Sequence, residues 1–575
     1  MKEGKKNRPP KWADNFLEWY CSPQYIDEIQ GDLHEAFQRR CENGDIRWEK
    51  FYFVTEVLRS ISIRTIDTSF YSHISSFAMF KNYLKCGWRN FIKYKSYSII
   101  NIFGLAVGFS AALLLFLIIR YENSFDRFHT KVDQIYRVGN SYTTGGFDDL
   151  IVTPQIPAME KEYPDIIHAS RFFALYDIVA NDDRYSQISS HLVDPGFSEM
   201  FDFKMVKGNL RQALSLPNQI VLTKSVAAKL FGYEDPIGKS LSFVNEKIDF
   251  TVAAIAEDPP KNSTLQFETL ISWENAPAWL DVDQSGSWYN TFMHGYIQVD
   301  PKTSKKELEE KLVVFKNKHF LDERKATWNV LLLPISEEHF RITKNRQLIT
   351  ILGIIASAIL LISCFNYTNL SVAQTLRRTR EIGLRRVLGS LKQQLTIQFT
   401  TESLITCLVS MAAGIAITIF TLPHVNSYYD FGVDIAPRHN RSLIFTLFTV
   451  CMLTCLCSTI GPSLVLSGLK PVHTMKGIVN ESKPAQYLRK GLVILQFTAT
   501  AILLIGTLVV WQQTRYMKSQ ELNLDHNNVI AIRTSPGLFR DPEKAKQGFH
   551  TLRKELEDET TIEAASFTSG IPGRY

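Results

Sequence analysis

The stretch "SIINIFGLAVGFSAALLLFLII", residues 98–119, decides the fold class of this chain. It carries no charged residue, and it is long enough for one helix to cross a bilayer, which takes about 20 residues. Four further apolar stretches of similar length follow it, at residues 348–370, 399–422, 443–466 and 492–511. One such stretch could be a buried helix of a soluble protein, but five predict a membrane protein with an α-helical transmembrane bundle.

Charge is distributed unevenly around these five predicted spans. The formal net charge is +6, and basic residues concentrate at positions 81–95, 377–392 and 470–490. Short cytoplasmic loops collect Lys and Arg, so we expect a cytoplasmic N-terminus and outer segments at residues 120–347 and 512–575. Glu402, at the edge of the third span, is the main charged residue inside an apolar stretch.

The segment "LFGYEDPIGKS", residues 230–240, ends in the Gly-Lys-Ser triplet of a phosphate-binding loop. That loop needs a glycine five positions before Gly238, but the position holds Tyr233, and Gly232 lies one residue too early. Pro236 also removes a backbone N–H where such a loop needs donors. We therefore predict a helix that Gly232 caps, followed by a turn, and no nucleotide-binding site.

No residue pattern indicates an enzyme, a cofactor or a metal site. The eight cysteines all lie outside residues 120–347, so that segment must fold without disulfides. "CMLTCLC", residues 451–457, has no His or carboxylate nearby in sequence and is typical of small packing residues. No Ser/His/Asp arrangement or His-Glu-x-x-His motif stands out, and no nucleic-acid partner is expected.

The soluble segments predict three further domains. Residues 1–80 form a small helical cytoplasmic prefix, with apolar residues at helical spacing. Residues 120–347 form an α+β extracytoplasmic domain, with strands in "QIYRVGNSY" and "NQIVLT", a hairpin in "LSFVNEKIDFTVAAIA" and a helix in "SKKELEEKLVVFKNKHF". Residues 512–575 begin a second extracytoplasmic domain.

The most informative cytoplasmic stretch is "LRRTREIGLRRVLGSLKQQLTIQFTTES", residues 376–403, which surrounds a predicted coupling segment at 374–398. Leu384, Val387, Leu388, Leu391 and Leu395 share one face of a helix, and the basic residues lie elsewhere. A basic helix held at the membrane surface by anionic lipid headgroups is one interpretation of this pattern.

Four stretches resemble one protein family. "REIGLRRVLGS" (380–390) resembles the cytoplasmic segment of FtsX-like and MacB-like ABC transporter permeases, and "VAAKLFGYEDPIGKSL" (226–241) resembles the signature of the MacB-type periplasmic core domain. "GPSLVLSGLKPVHTMKG" (461–477) resembles the family's link after the fourth span. "WADNFLEWYCSPQYIDEIQGDLHEAFQRR" (12–40) resembles the prefix domain of some of these permeases.

The resemblance implies a non-catalytic permease subunit of the bacterial cytoplasmic membrane, working with a separate cytoplasmic ABC ATPase. It implies mechanotransmission, in which movement of the coupling segment reaches the outer domain and exports or releases a substrate there. The expected partners are the ATPase, a second permease in a homo- or heterodimer, membrane lipids and a periplasmic adaptor as a further candidate. The residues implied in ATPase coupling are Arg380, Glu381, Gly383, Arg385, Arg386, Val387 and Gly389.

Two alternatives stay open at this stage. The same architecture could drive an extracytoplasmic hydrolase or a sensor and export nothing, or the spans could simply anchor an outer enzyme. Two-repeat relatives of this kind have a complete second outer domain and three further spans, so we expect the chain to be a C-terminally truncated member. "NYLKCG" (82–87) and "QYLRKG" (486–491), each preceding a span, agree with two related halves.

Overall fold

The structure of the protein is a computed structural model. It describes residues 9–10, 12–14, 26–41, 52–57, 85–142, 147–181, 184–244, 246–280, 286–388, 390, 392–435, 445–457, 483–519, 529–530, 542–559 and 561–567.

Helices dominate both ends of the described chain and frame one block of strands. The α-helices are α1 Ile26–Cys41, α2 Lys95–Glu122, α3 Gln155–Glu162, α4 Phe197–Met200, α5 Leu210–Leu214, α6 Lys224–Phe231, α7 Lys305–His319, α8 Asp322–Thr327, α9 Ile335–Thr343, α10 Arg346–Arg377, α11 Thr379–Val387, α12 Lys392–Tyr429, α13 Phe445–Cys457, α14 Lys483–Ser519 and α15 Pro542–Glu557. The strands are β1 Ile135–Tyr142, β2 Phe147–Asp148, β3 Ile151–Val152, β4 Ile166–Asn181, β5 Arg184–Val193, β6 Met205–Lys207, β7 Gln219–Thr223, β8 Ser240–Phe243, β9 Ile248–Ala256, β10 Thr269–Ser272, β11 Thr291–Val299 and β12 Trp328–Pro334.

Four helices of the described chain are long and apolar enough to cross a membrane. They are α2, α10, α12 and α14, with apolar spans inside Lys95–Glu122, Arg346–Arg377, Gln394–Tyr429 and Arg489–Met517. These confirm the first, second, third and fifth predicted spans. The shorter apolar helix α13 covers part of the predicted fourth span, whose residues 458–466 lie outside the described residues. The count of five therefore stays a prediction.

The chain divides into two compact units, and the first comprises Met1–Ser110, Leu360–Ile417 and Pro437–Thr500. Its apolar core joins α2, α10, α12 and α13 through Leu105, Phe109, Tyr367, Cys407, Met411, Cys451 and Cys455. The cysteines of "CMLTCLC" at 451 and 455 are buried packing residues, as predicted. In this unit α12 packs closely against α2 at Gly414, where a Cβ atom would lie 3.0 Å from the Ala106 carbonyl oxygen.

The described part of the prefix also belongs to the first unit. Phe37 of α1 packs edge-on against Phe53, with ring centroids 5.5 Å apart, and His34 Nε2 lies 2.7 Å from Asp14 Oδ1. Trp12, expected on an apolar helical face, is 61% exposed, and Ala13 is the buried neighbour. Most of the other prefix positions lie outside the described residues.

The second unit comprises Ala111–Ile359, Thr418–Ala436 and Ala501–Tyr575, and it contains the α+β domain. Its strands form a mixed sheet in the order β12-β1-β11-β4-β5-β10-β7-β9-β6, with β2, β3 and β8 paired at its sides. β5 pairs with β10 and β7 with β9 in parallel, and the remaining pairs are antiparallel. The strands and the helix predicted from sequence are all present, with Ser304 capping α7 by accepting from the Glu307 N–H at 3.2 Å.

Helices cover this sheet through apolar side chains spaced by one helical turn. Leu308, Leu312 and Phe315 of α7 are fully buried against the β1, β11 and β12 region. Leu230 and Phe231 of α6 pack with β7 and β9. Burying each large apolar side chain contributes roughly 1.5–3 kcal/mol, so these packed layers hold the domain together without disulfides.

The Gly-Lys-Ser triplet lies in a turn, as predicted. Gly232, at φ 63°, caps α6, and its N–H donates to the Ala228 carbonyl at 2.9 Å. Gly238 takes φ 78°, and Ser240 then opens β8. A phosphate-binding loop leads into a helix whose N-terminus faces the anion, whereas this triplet leads into a strand and Lys239 pairs with Glu234.

Three histidines of the α+β domain make it sensitive to acid. Burial lowers the pKa of His129 and His294 to about 4 and that of His191, stacked on Phe172, to about 3. Each of these histidines therefore stays neutral in the folded domain at a pH where it is already protonated in the unfolded chain, in which its pKa is about 6.5. Each histidine contributes stability above pH 6.5, and that contribution is lost as the pH falls toward its folded pKa.

We expect His191→Leu to reduce this acid sensitivity. The free energy of unfolding of both proteins should fall between pH 7 and pH 5. The fall should be about 2 kcal/mol smaller in the variant, because it lacks the histidine that is protonated only on unfolding. Urea unfolding of a soluble fragment covering residues 124–343 measures both losses. Equal losses in the two proteins would contradict the assignment.

We expect Gly414→Leu to weaken the helix bundle. The added side chain meets the Ala106 carbonyl and the Phe109 Cβ at 3.0 Å, and overpacking of this kind costs roughly 1–3 kcal/mol. Gly506→Leu in α14 is the matched control, because a Cβ there meets nothing within 4 Å. The thermal midpoints of the detergent-solubilised proteins test this: only Gly414→Leu should lower it, and an equal effect of both changes would disprove the contact.

Candidate functional site

A network of hydrogen-bonded polar side chains connects the spans at the end where the coupling segment begins. α10 ends at Arg377, Arg378 lies in a turn, and α11 starts at Thr379. The Thr379 hydroxyl donates to the Leu376 carbonyl at 2.5 Å, which gives a carbonyl in the last turn of α10 a hydrogen-bond donor. Because the turn directly follows an apolar span, it places Arg378 at the membrane edge.

Glu402 of α12 is the centre of this hydrogen-bond network. Its carboxylate accepts from Arg378 Nη1 at 3.1 Å, from Asn90 Nδ2 at 2.7 Å and from Gln398 Nε2 at 3.0 Å. The side chain of Arg378 is 10% exposed and that of Glu402 is 18% exposed. A carboxylate this close to the hydrocarbon needs a charged or hydrogen-bonded partner, and these contacts provide both.

Gln398 connects this network to the coupling helix α11. Its Oε1 accepts from Arg385 Nη1 at 3.0 Å, and Arg385 Nη2 donates to Glu381 Oε1 at 2.7 Å. Ile382 of α11 is buried with Leu395 and Phe399 of α12. We call Glu381, Arg385, Gln398, Glu402, Arg378 and Asn90 the polar node. One apolar and one polar contact thus attach α11 to α12.

The opposite side of α11 is exposed. Leu384, Val387 and Leu388 are 54%, 56% and 78% exposed in the chain by itself. The expected shared apolar face is therefore split, since Leu395 is buried whereas these three are not. We call Leu384, Val387 and Leu388 the α11 apolar patch.

The residues expected to couple to an ATPase fall into three groups. Arg385 and Glu381 are hydrogen-bonded to each other, and Gly383 is buried. Val387 lies in the exposed patch. The side chains of Arg380 and Arg386, and residue Gly389, lie outside the described part of the chain. Their role in coupling stays a prediction.

A second polar cluster, wholly within the second unit, lies where the outer domain meets the spans. His339 of α9 has Nε2 2.7 Å from Glu122 Oε2, at the end of α2, and its ring stacks on Phe125 with centroids 3.5 Å apart. Asn345, just before α10, donates to the same Glu122 oxygen at 3.0 Å. The ends of α2 and α10 therefore meet on one carboxylate.

The neighbouring residue of α9 reaches into the domain core. Glu338 pairs with the buried Arg137 of β1 and accepts from the Tyr296 hydroxyl at 3.0 Å. Arg137 also lies 2.7 Å from Asp149 and contacts His294. Burial raises the pKa of Glu338 to about 7. We call Glu122, Arg137, Glu338, His339 and Asn345 the outer joint; through it, consecutive residues of α9 connect the sheet with the ends of two spans.

Sequence reasoning singled out Glu402 but missed its partners and the whole outer joint. Gln398 and Glu402 are four residues apart, and such a polar pair preceding an apolar run is a usable signal. Asn90 is 312 residues away from Glu402 in sequence, and Arg137 is 201 residues away from Glu338. No local pattern indicates contacts at such separations.

Two family models match the chain. The MacB-like periplasmic core domain matches residues 98–314, and the FtsX-like permease C-terminal region matches residues 353–471. Together they cover most of the first three apolar helices, the outer domain up to residue 314, and α11. The chain belongs to the FtsX/MacB-like ABC transporter permeases.

This permease also matches individual relatives. It is 23% identical over 278 residues, or 48% of its length, to the "Macrolide export ATP-binding/permease protein MacB" of Salmonella paratyphi A, and it spans only 40% of that relative. It is 38% identical over 68 residues to the "Uncharacterized ABC transporter permease YknZ" of Bacillus subtilis, covering 12% of this chain and 17% of the relative. The crystal structure of the periplasmic region of MacB from Actinobacillus actinomycetemcomitans aligns with a TM-score of 0.29 and 13% identity, over 37% of this chain and 93% of that one.

The family and the apolar helices make the chain a multi-pass inner-membrane protein with an α+β extracytoplasmic domain. Among the described residues, no group of three or more His, Cys, Asp or Glu side chains has a metal-binding arrangement. The two polar clusters are therefore organised by ion pairs and hydrogen bonds within the chain.

We expect Arg137→Met to destabilise the outer domain by roughly 3–5 kcal/mol, because Glu338 is then left buried without its cation. Lys306→Met, an exposed change on α7, is the control and should stay within about 0.5 kcal/mol of wild type. Urea unfolding of the fragment covering residues 124–343 measures both.

The double change Arg137→Met and Glu338→Leu distinguishes a buried ion pair from general packing at this place. It removes both charges, so it should recover most of the stability lost in the single variant. A double variant that is less stable than Arg137→Met would contradict the ion-pair explanation.

Proposed function

We propose that this chain is the permease subunit of an ABC transporter, and that it couples a separate cytoplasmic ATPase to export or release of a substrate at its extracytoplasmic domain. The observation that carries the proposal is α11, a short helix fixed to α12 on one side and exposing the α11 apolar patch on the other. Exposed leucine and valine on a polar cytoplasmic helix are typical of a surface that a partner covers.

The ATPase covers the α11 apolar patch in this proposal. ATP-dependent closure of the ATPase pushes on Leu384, Val387 and Leu388, and α11 moves as a unit because Ile382 and Arg385 hold it on α12. Arg385 then acts as a positioning residue for α11, since its guanidinium is bonded to Gln398 and Glu381. Arg380 and Arg386 stay candidates for direct ATPase contacts.

Mechanotransmission in the cytoplasmic half proceeds through the node. Arg378 and Glu402 tie the end of α10 to α12, so a displacement of α11 moves the two spans together. Such coupling needs a rigid connection rather than a polar channel, and the apolar spans hold few charges.

The extracytoplasmic half of the mechanism uses the outer joint. A shift of α2 or α10 acts on Glu122 and Asn345, and His339 and Glu338 carry it through α9 to Arg137 in β1. We place the N-terminus and the basic loops in the cytoplasm, since they collect Lys and Arg.

The further partners in this proposal are a second permease chain, in a homo- or heterodimer, and a periplasmic adaptor. The name of the MacB relative refers to macrolide export. For this chain we propose export or release of a substrate, and we assign no compound.

We expect the double change Val387→Asp and Leu388→Asp to abolish ATPase binding. Two carboxylates in an apolar contact stay desolvated and unpaired, which lowers affinity by more than about tenfold. Pull-down of the cognate ATPase by membranes containing the full chain measures this. Tyr233→Asp, at a fully exposed position of the outer domain, controls for expression and insertion.

Pull-down by the double variant at wild-type level, with normal insertion, would contradict docking on the α11 apolar patch. It would favour the other interpretation of this segment, in which α11 lies in lipid headgroups.

A further inference from the structure

A small polar cleft lies at the polar node, between residues of the first unit alone. Its volume is about 50 Å³, and Asn90, Phe91, Ser371, Arg378, Glu402 and Ser403 are among the residues that line it. A cavity needs roughly 10–15 Å³ by this measure to hold one water molecule, so the cleft has room for a larger group. The cleft is half open, so part of a larger molecule can enter it from outside.

Arg378, one of the residues that line the cleft, has a hydrogen-bond donor without a partner among the described residues. Its Nη1 donates to Glu402, and its guanidinium carbon lies 5.1 Å from the centroid of the Tyr94 ring. Its Nε, however, is buried and has no acceptor among the described residues. A buried N–H without a partner is destabilising, and more so when it is charged, so the donor is suited to an anionic oxygen.

The helix that borders the cleft has the composition of a membrane-surface helix. This helix, residues 85–93, carries exposed Lys85, Arg89 and Lys93 beside Trp88, which is 52% exposed and stacks on Phe91 with ring centroids 5.6 Å apart. Tryptophan concentrates at the level of lipid headgroups, and basic residues there attract anionic lipids.

Apolar side chains continue from this helix into α2. Ile99, Ile100 and Phe103 are 64%, 59% and 69% exposed, directly after Tyr97 and Ser98, which line the cleft. In a membrane such side chains contact acyl chains. A polar cleft with an arginine donor thus adjoins an apolar surface, the arrangement that an amphipathic ligand with a phosphate group requires.

We propose that the cleft binds the phosphate group of a phospholipid, with Arg378 Nε as the donor and the acyl chains along the first turns of α2. The leaflet is the cytoplasmic one if the proposed orientation holds, whereas binding itself does not depend on the ATPase or the substrate. A bound lipid would fill the space between the juxtamembrane helix and the Arg378–Glu402 pair, and so stabilise the node.

Arg378→Lys tests the site with little disturbance of the fold. Lysine keeps the positive charge for Glu402 but removes the Nε donor and the planar guanidinium. Arg377→Lys, at the exposed neighbouring position, is the matched control. Native mass spectrometry of the full chain in mild detergent, with phosphatidylglycerol added, measures the lipid that each protein retains.

We expect the wild type and Arg377→Lys to retain a phospholipid and Arg378→Lys to bind it about tenfold more weakly, the effect of one hydrogen bond to a charged group. Gln374→Trp, which fills the cleft from another lining position, should have the same effect without touching the ion pair. Equal retention by all four proteins would show annular lipid only and would overturn the proposal.

A second arm separates a lipid from a free anion. Inorganic phosphate, with chloride at equal ionic strength as the reference, is added to delipidated protein and the thermal midpoint is measured. No phosphate-specific shift, together with lipid retention, supports the phospholipid. A shift that is lost in Arg378→Lys, without lipid retention, would assign the phosphate chemistry to a soluble ion and overturn the lipid.

Discussion

The structure depends on one constraint, that a charge at the edge of a bilayer must have a partner. Glu402 begins the apolar stretch of α12, and its carboxylate is acceptable there because Arg378, Asn90 and Gln398 bond it. Meeting this requirement brings together the juxtamembrane helix, the end of α10 and the start of α12. Through Gln398 and Arg385 it also fixes α11. Placement of the coupling helix therefore follows from neutralising a single carboxylate.

The outer joint, in the second unit, likewise provides partners for buried charges. Glu122 ends an apolar helix and is held by His339 and Asn345, while the adjacent Glu338 is satisfied by Arg137 and Tyr296. Buried ion pairs of this kind contribute little net stability, but breaking one is costly, so they favour one geometry over alternatives. A connection that transmits movement needs such a defined geometry more than it needs additional stability.

Sequence reasoning recovered the features that depend on local patterns. Apolar length identified four spans, periodicity identified β7, the β8–β9 hairpin and α7, and glycine spacing identified the turn at Gly238. It missed what depends on distant contacts: the partners of Glu402, the outer joint, and the close approach at Gly414. It also treated the apolar residues of the coupling segment as one face, because a continuous helix was assumed where the described helices α11 and α12 are separate.

The central claim is that the α11 apolar patch and the outer domain lie on opposite sides of the membrane, and cysteine accessibility tests it most directly. Tyr233 is fully exposed and Leu388 is 78% exposed, and residues 120–347 contain no native cysteine. In intact spheroplasts, a membrane-impermeant maleimide should label Tyr233→Cys but not Leu388→Cys, above the background of the wild-type chain. Permeabilised spheroplasts should show labelling of both. Labelling of Leu388→Cys in intact spheroplasts, without labelling of Tyr233→Cys, would contradict the account.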